Sequence, residues 1–263
     1  MSRSEADINL TQVSAKELES YLKTGTKLNI AEIELLKNDS RKSVREQVER
    51  YLRRQRKDSL EMERAEHMLT RERRIYKDGY KLIAGTDEVG RGPLAGPVVA
   101  AAVILDQEKD ITSWGIKDSK QLHPDKRERL FKIIEKEAIC VGIGIVDAEE
   151  IDRLNILQAS LLAMSKAVEE LPVAPQYVLC DGSAALSLNI PCEAVRGGDA
   201  TCLSVAAASI VAKVTRDRLM DKYAEFYPGY GFAKHKGYPT PGHREALRAS
   251  GLSPIHRRTF KLF

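Results

Sequence analysis

Two apolar runs joined by a glycine-rich turn, GTDEVGRGPLAGPVVAAAVIL from Gly85 to Leu105, do most to restrict the folds open to this 263-residue chain. The first run, KLIAGTD, is a short strand ending at Asp87. The second, GPVVAAAVIL, is a β-branched strand with Pro97 at its start, where a missing N–H is tolerated. Asp87 and Glu88 stand side by side between the two, and adjacent negative charges repel unless a cation or a proton intervenes. The pair is either an ordinary solvated turn or the rim of a metal site.

The segments that follow continue an α/β pattern. AICVGIGIVD is a third candidate strand, in which apolar residues alternate with glycine, a sign of close backbone packing. Helices are expected at about Pro124 to Glu137, with Pro124 near the first turn, and at about Ile156 to Glu170. QYVLCDGS reads as a buried strand ending at Asp181, and a small strand follows near Ile190 to Val195. A long helix is expected from about Thr201 to Phe226. Strands in this order, with helices grouped later, imply a mixed sheet flanked by helices.

Residues 1 to about 75 are different: charged, poor in glycine, without proline and helical in period. Ser14 stands three residues before Glu17, a capping-box pattern, and Leu18, Tyr21 and Leu22 recur behind it at helical spacing. Asn38, Asp39 and Ser40 mark a second start, opening a charged run to about Arg74. From Arg41 to Lys77 there are 13 Lys or Arg against 7 Asp or Glu. Such a run is either a solvated helix face laced with opposite charges or an accessory helix that touches nucleic-acid phosphates. YKDGYK, Tyr76 to Lys81, is the expected linker with Gly79 as breaker, dividing a helical extension (1–75) from an α/β domain (76–263).

With 43% hydrophobic and 30% charged residues the chain is of the soluble globular type, and its net charge of +4 permits a polyanionic partner without requiring one. Cys140, Cys180, Cys192 and Cys202 form no CxxC pair and have no His at zinc-ligand spacing, so reduced packing thiols are expected. No apolar run approaches the roughly 18 residues of a membrane span. The N-terminus MSRSEADINL lacks the apolar core of a signal peptide, so a cytoplasmic location without membrane association is expected.

Asp87 and Asp181 each end an apolar strand, and Asp199 lies just before the long helix. In α/β sheets the functional crevice lies at strand ends, so these acids converge if their strands are neighbours. Converging carboxylates repel by roughly several kcal/mol in a partly desolvated site unless cations compensate. Oxygen ligands without His or Cys favour Mg2+ or Mn2+ over zinc. Each acid alone has a structural reading, a helix cap for Asp199 and a turn for Asp181-Gly182; their joint occurrence is what points to a metal site. Gly90, Arg91 and Gly92 either fold a tight connection or bring peptide N–H groups against a phosphate or sugar hydroxyl. They miss the GxGxxG spacing of a dinucleotide site, and a strand follows where that site needs a helix.

The motifs GTDEVGRGPLAGPVVAAAVIL, IKDSKQL, NILQASLLAM, YVLCDG, GGDATCLSVAAASIVAKVTRD, HKGYPT and HRRTF, in this order, closely resemble those of bacterial ribonuclease HII over about Leu82 to Phe260. The resemblance implies a ribonuclease H-like fold and endonucleolytic cleavage of RNA in RNA·DNA hybrids and at single ribonucleotides embedded in duplex DNA. It implies that Asp87, Glu88, Asp181 and Asp199 are the active-site acids, holding two divalent cations, Mg2+ or Mn2+. It further implies that Gly90, Arg91 and Gly92 read the ribonucleotide 2′-OH and adjacent phosphates, that Tyr238 stacks at the RNA-to-DNA junction, and that Lys120 contacts phosphate. Gln121 stands where the family usually has a second lysine, and Gly197 where a lysine usually precedes the final Gly-Asp, so two basic contacts are in question. Arg91 separates the chain from the sister family, ribonuclease HIII, which typically has lysine there. The N-terminal region resembles the extension of some Gram-positive enzymes, which supplies no catalytic residue, and a monomer is expected.

By the same resemblance the two cations activate a water and stabilise the departing 3′-oxygen, leaving a 3′-OH and a 5′-phosphate without a protein nucleophile. The segment Lys234 to Phe263 holds seven Lys or Arg against Glu245 alone and is expected to track a nucleic-acid backbone. Tyr227 and Tyr230 are expected to pack, and His235, His243 and His256 to serve the fold or touch phosphate. A non-catalytic binding module would have no reason to place four acids at strand and helix ends. A different carboxylate nuclease, such as a junction resolvase, would lack the combination of Gly90-Arg91-Gly92 with Tyr238.

Overall fold

The computed structural model describes residue 10, residues 12–24 and residues 27–262; most of the N-terminal stretch read above for a leader lies outside them. The chain divides into two compact units, Met1–Glu63 and Arg64–Phe263. In the first, α1 (Ala15–Lys23) and α2 (Ile30–Lys37) precede the start of α3 (Lys42–Met68). Ser14 caps α1 as its sequence predicts: Ser14 Oγ accepts from the Glu17 N–H at 3.3 Å, and Glu17 Oε2 accepts from the Ser14 N–H at 2.8 Å. Helix α2 has no counterpart in the sequence reading, although Asn29 and Glu32 form the same reciprocal cap at 2.9 and 2.7 Å. Its apolar residues do not line one face, since Leu36 is buried while Ile30 is exposed. Leu18, Leu36, Val44 and Val48 close a small core with Leu10, Leu28 and Tyr51.

In the second unit the charged run breaks at Leu69 and resumes as α4 (Thr70–Lys77), after which Gly79 takes φ +102° and the chain enters the sheet. The strands are β1 (Ile83–Val89), β2 (Val98–Ile104), β3 (Cys140–Val146), β4 (Tyr177–Asp181) and β5 (Cys192–Val195), in the order β3-β2-β1-β4-β5. β1, β2 and β3 are antiparallel neighbours, whereas β4 runs parallel to both β1 and β5. This is the mixed sheet that the sequence implies, and every residue of β2 is buried because both faces are covered. The intervening helices are α5 (Pro124–Glu137), α6 (Ala148–Leu154), α7 (Ile156–Glu169), α8 (Gly198–Thr201) and α9 (Leu203–Phe226), followed by α10 (Phe232–His235) and α11 (Pro241–Ser250). α9 and α5 pack on one face of the sheet, α7 on the other. α9 is buried at every position from Leu203 to Ala212, as a helix apolar around its whole circumference must be.

Glycine sets how closely these layers approach. A Cβ on Gly142 or Gly144 would stand 2.1 Å from Ala167 O or 2.0 Å from Ala163 O, so the alternating glycines of β3 let α7 lie directly on the strand. On the opposite face a Cβ on Gly85 would stand 2.2 Å from the Ser204 carbonyl carbon, which seats the start of α9 on β1.

The long helix expected from Thr201 begins two residues later. Cys202 is extended, with φ −127° and ψ 127°, and separates α9 from the short turn α8 that contains Asp199. Asp199 therefore does not cap α9. Glu72 of α4 does, its Oε1 accepting from the Ser204 N–H at 3.0 Å and from the Ser204 hydroxyl at 2.8 Å. Burial pushes the Glu72 carboxyl above its ordinary range, and its Oε2 has no partner among the described residues, which suits the protonated acid. The four cysteines are free thiols. Among the described residues no helix is long and apolar enough to cross a membrane.

Removing this cap should be measurable. Glu72→Ala is expected to lower stability by about 1–2 kcal/mol, seen as a lower urea midpoint at unchanged slope. Glu72→Gln mimics the protonated acid and should retain most of that stability; equal losses in the two variants would contradict the cap.

Candidate active site

The parallel register of β1 and β4 pairs Thr86 with Cys180, so Asp87 and Asp181 are the next residues on neighbouring strands. The Gly198 N–H donates to Asp181 Oδ1 at 2.7 Å, which holds α8, and with it Asp199, over the same strand ends. Asp87 is 5% exposed. Burial first, then the charges of Glu88, Asp181 and Asp199, raise its carboxyl well above the ordinary range, opposed by the nearby Ser209 hydroxyl of α9. Ser209 is held in turn by Ser119 at 2.9 Å. Burial also raises Glu88 and Asp181; Arg91 opposes the shift at Glu88, and the Gly198 N–H opposes it at Asp181. Glu88, Asp181 and Asp199 thus all lie near enough to Asp87 for their charges to act on it.

Two cationic side chains reach into this locus. Arg91 Nη1 lies 3.0 Å from Glu88 Oε1, and Lys120 Nζ lies 3.1 Å from Asp199 Oδ2. The Lys120 side chain is 79% exposed while that of Asp199 is 11% exposed, so the lysine enters from solvent. Burial pulls Lys120 down, but Asp199, Asp87 and Asp118 together leave it above its ordinary value. The donor set, all carboxylate oxygen, is that of a hard divalent cation. As the side chains stand, no group of three or more His, Cys, Asp or Glu among the described residues is gathered tightly enough to hold an ion. Glu88 is turned to Arg91, Asp199 to Lys120 and Asp181 to the Gly198 N–H, so the chemistry fits a cation and the side chains would have to turn to meet it.

The loop after β1 runs beside the acids. Gly90 takes φ +95°, and a Cβ there would stand 2.2 Å from Arg216 Nε, so this position requires glycine on both conformational and steric grounds. A Cβ on Gly92 would meet Tyr238 Cε1 at 3.7 Å, an ordinary contact, which brings the Tyr238 ring next to the glycine loop. The Leu94 N–H donates to Gly237 O at 2.8 Å and ties the two segments together. Arg91 and Tyr238 are both exposed. All nine residues singled out from the sequence thus lie on one rim or in the segments bordering it.

The C-terminal segment differs from expectation. Arg257, counted above as part of a surface patch, is fully buried and donates to Gly90 O, Arg91 O and Gly96 O, so it supports the loop from within. His243 and His256 are buried too, with Nε2 atoms 3.0 Å apart. The Ser253 N–H donates to His256 Nδ1 at 2.9 Å, and His243 Nδ1 lies 2.9 Å from Tyr238 O. One tautomer of each ring satisfies the whole chain: His256 Nε2–H donates to His243 Nε2, and His243 Nδ1–H donates to the Tyr238 carbonyl. Burial and the neighbouring His243 push His256 down to about 4, consistent with neutral rings. Sequence reasoning missed Ser209, Arg216 and Arg257 as parts of the site; their only sequence signal is polarity inside otherwise apolar or basic stretches.

Carboxylates gathered at neighbouring strand ends of a mixed sheet, beside an arginine-glycine loop, are the arrangement of a nuclease with a ribonuclease H-like fold. Residues 84–263 match the model of the family Ribonuclease HII, and residues 14–76 that of the Ribonuclease HII N-terminal domain. The chain is 50% identical over 250 residues to Ribonuclease HII of Bacillus licheniformis, covering 94% of this chain and 96% of that protein. It is 44% identical over 253 residues to Ribonuclease HII of Enterococcus faecalis, covering 95% and 97%. Among solved structures, the ribonuclease H2 from Pyrococcus horikoshii OT3 matches with a TM-score of 0.61 at 31% identity, over 68% of this chain and 94% of that one. Bst-RNase HIII in complex with Mn2+ shares the fold, with a TM-score of 0.53 at 22% identity over 71% and 69% of the two chains. The chain belongs to the ribonuclease HII family and is an endoribonuclease.

The loop geometry separates two glycines that sequence alone treats alike. Gly90→Ala should cost about 1–3 kcal/mol, because it combines a positive φ with a clash against Arg216. Gly92→Ala should leave the thermal melt unchanged; a reversed order would contradict the loop described here.

Proposed function

We propose that the chain hydrolyses the phosphodiester on the 5′ side of ribonucleotides in RNA·DNA hybrids and at single ribonucleotides embedded in duplex DNA, leaving a 3′-OH and a 5′-phosphate, and so serves ribonucleotide removal from DNA. One observation carries this reading: the acids Asp87, Glu88, Asp181 and Asp199 surround the same locus that Gly90, Arg91, Gly92 and Tyr238 border. An acid cluster alone would suit many phosphodiesterases. A hydroxyl reader beside it suits a substrate that differs from DNA by the 2′-OH.

Asp87, Glu88, Asp181 and Asp199 would hold two divalent cations, Mg2+ or Mn2+, which would supply activation of a water and charge stabilisation at the departing oxygen. Of these four acids Asp87 is the most buried, and the Ser209 hydroxyl lies near it. Arg91 and Lys120, each paired with a carboxylate in this structure, transfer to substrate phosphates, where the same positive charge is needed. Peptide groups of Gly90 to Gly92 take the 2′-OH, and Tyr238 packs against the adjoining sugar. A site built to hydrogen-bond a hydroxyl rejects the deoxy analogue, because its own polar groups would then be buried unpaired.

A DNA duplex carrying one ribonucleotide tests the reading. With Mg2+ or Mn2+ the wild-type chain is expected to nick 5′ to that residue, and EDTA or Asp87→Asn should abolish nicking. Failure of the wild type to nick, or undiminished nicking by Asp87→Asn, would overturn it.

A further inference from the structure

Two arginines that the proposed chemistry does not use are the largest fully buried side chains of the protein, Arg216 of α9 and Arg257 near the C-terminus. Neither pairs with a carboxylate among the described residues, and their guanidinium groups donate to backbone carbonyls instead. Arg216 donates from Nε to Pro97 O at 2.9 Å, from Nη2 to Ala95 O at 3.2 Å and from Nη1 to Lys236 O at 3.0 Å. Arg257 donates from Nη2 to Gly90 O at 2.6 Å and to Gly96 O at 2.8 Å, from Nε to Gly96 O at 3.0 Å and from Nη1 to Arg91 O at 3.0 Å. Asp152 and Asp217 act on Arg257 and Arg216 only at longer range, so the carbonyls are the groups these buried cations touch and orient. Burial and the neighbouring Arg216 bring Arg257 down only to about 9, so it remains charged at neutral pH.

The direction matters through peptide geometry. There are no cis peptide bonds among the described residues, and in a trans peptide the C=O and the following N–H point opposite ways. With the Gly90 carbonyl drawn inward by Arg257, the Arg91 N–H must point outward; with the Arg91 carbonyl drawn inward, so must the Gly92 N–H. Arg91 and Gly92 are exposed, and neither N–H has an acceptor among the described residues.

We propose that Arg257 is a positioning residue for substrate selection: by holding the Gly90 and Arg91 carbonyls inward it aims the Arg91 and Gly92 N–H groups at the ribonucleotide, while Arg216 locks this loop to the segment that carries Tyr238. The inference rests on the reading of Gly90 to Gly92 as the ribonucleotide reader. Because two carbonyl groups are held by one planar fork, lysine cannot replace it: an ammonium keeps the charge but not the geometry.

The test is Arg257→Lys in the full chain, with steady-state nicking of the single-ribonucleotide duplex and the same all-DNA duplex as competitive inhibitor. In the wild type, KM should lie well below the inhibitor Ki; if the two are equal, the reader assignment itself fails. In Arg257→Lys, KM for the ribonucleotide duplex should rise by about tenfold or more, the scale of a lost hydrogen bond to substrate, with Ki for all-DNA duplex unchanged. A folded variant whose KM is unchanged, or whose KM and Ki rise together, overturns the proposal. Should Arg257→Lys fail to fold, wild-type amide resonances decide. Those of Arg91 and Gly92 must shift on adding the ribonucleotide duplex and not the all-DNA duplex; if they do not, the proposal is wrong.

Discussion

The contact of α9 with Gly85 is the constraint on which the site depends. With no side chain at Gly85, the backbone at Ser204 lies where a Cβ would otherwise be, and α9 is seated on β1 close to its acidic end. From that seat Ser209 reaches Asp87, the turn before the helix brings Asp199 to the ends of β1 and β4, and Arg216 reaches the loop that follows β1. One close approach between a strand and a helix thus sets the acids, Ser209 and the glycine loop after β1 in a common frame.

Charge is what this frame has to manage. Asp87 is nearly inaccessible, and burial together with the neighbouring negative charges raises the carboxyls of Asp87, Glu88 and Asp181 above their ordinary range. Arg91 and Lys120 offset part of that repulsion from the solvent side, as exposed partners of Glu88 and Asp199. On the inner side, Arg216 and Arg257 place positive charge behind the loop, with Asp217 and Asp152 near enough to offset part of it. In the proposed reading an anionic substrate would draw Arg91 and Lys120 to its phosphates and leave Glu88 and Asp199 free for cations.

Much of this was legible in the sequence. The five strands and helices α5 and α7 announce themselves by β-branched runs, by Pro124 at a helix start and by apolar periodicity. Asp87 and Asp181 stand out because each ends such a run, and the glycine alternation of Cys140–Val146 signals close backbone packing, which α7 provides. Helices α2 and α6 are short, and the apolar residues of α2 mark no clear face. Glu72 as the cap of α9 could not be read from sequence, because the residues it joins lie 132 positions apart. The same holds for Arg257, which is adjacent to Arg258 and chemically identical to it. One is buried against carbonyls and the other exposed, a distinction made only by tertiary packing.

The central claim is that Asp87, Glu88, Asp181 and Asp199 act together as one oxygen-ligand set for divalent cations. Calorimetric titration of Mn2+ into the full chain, without substrate, tests it most directly. Saturable binding that is lost in Asp181→Asn, with the thermal melt of the free protein preserved, is the predicted result. Binding to Asp181→Asn as tight as to the wild type, or no binding to either, would contradict it.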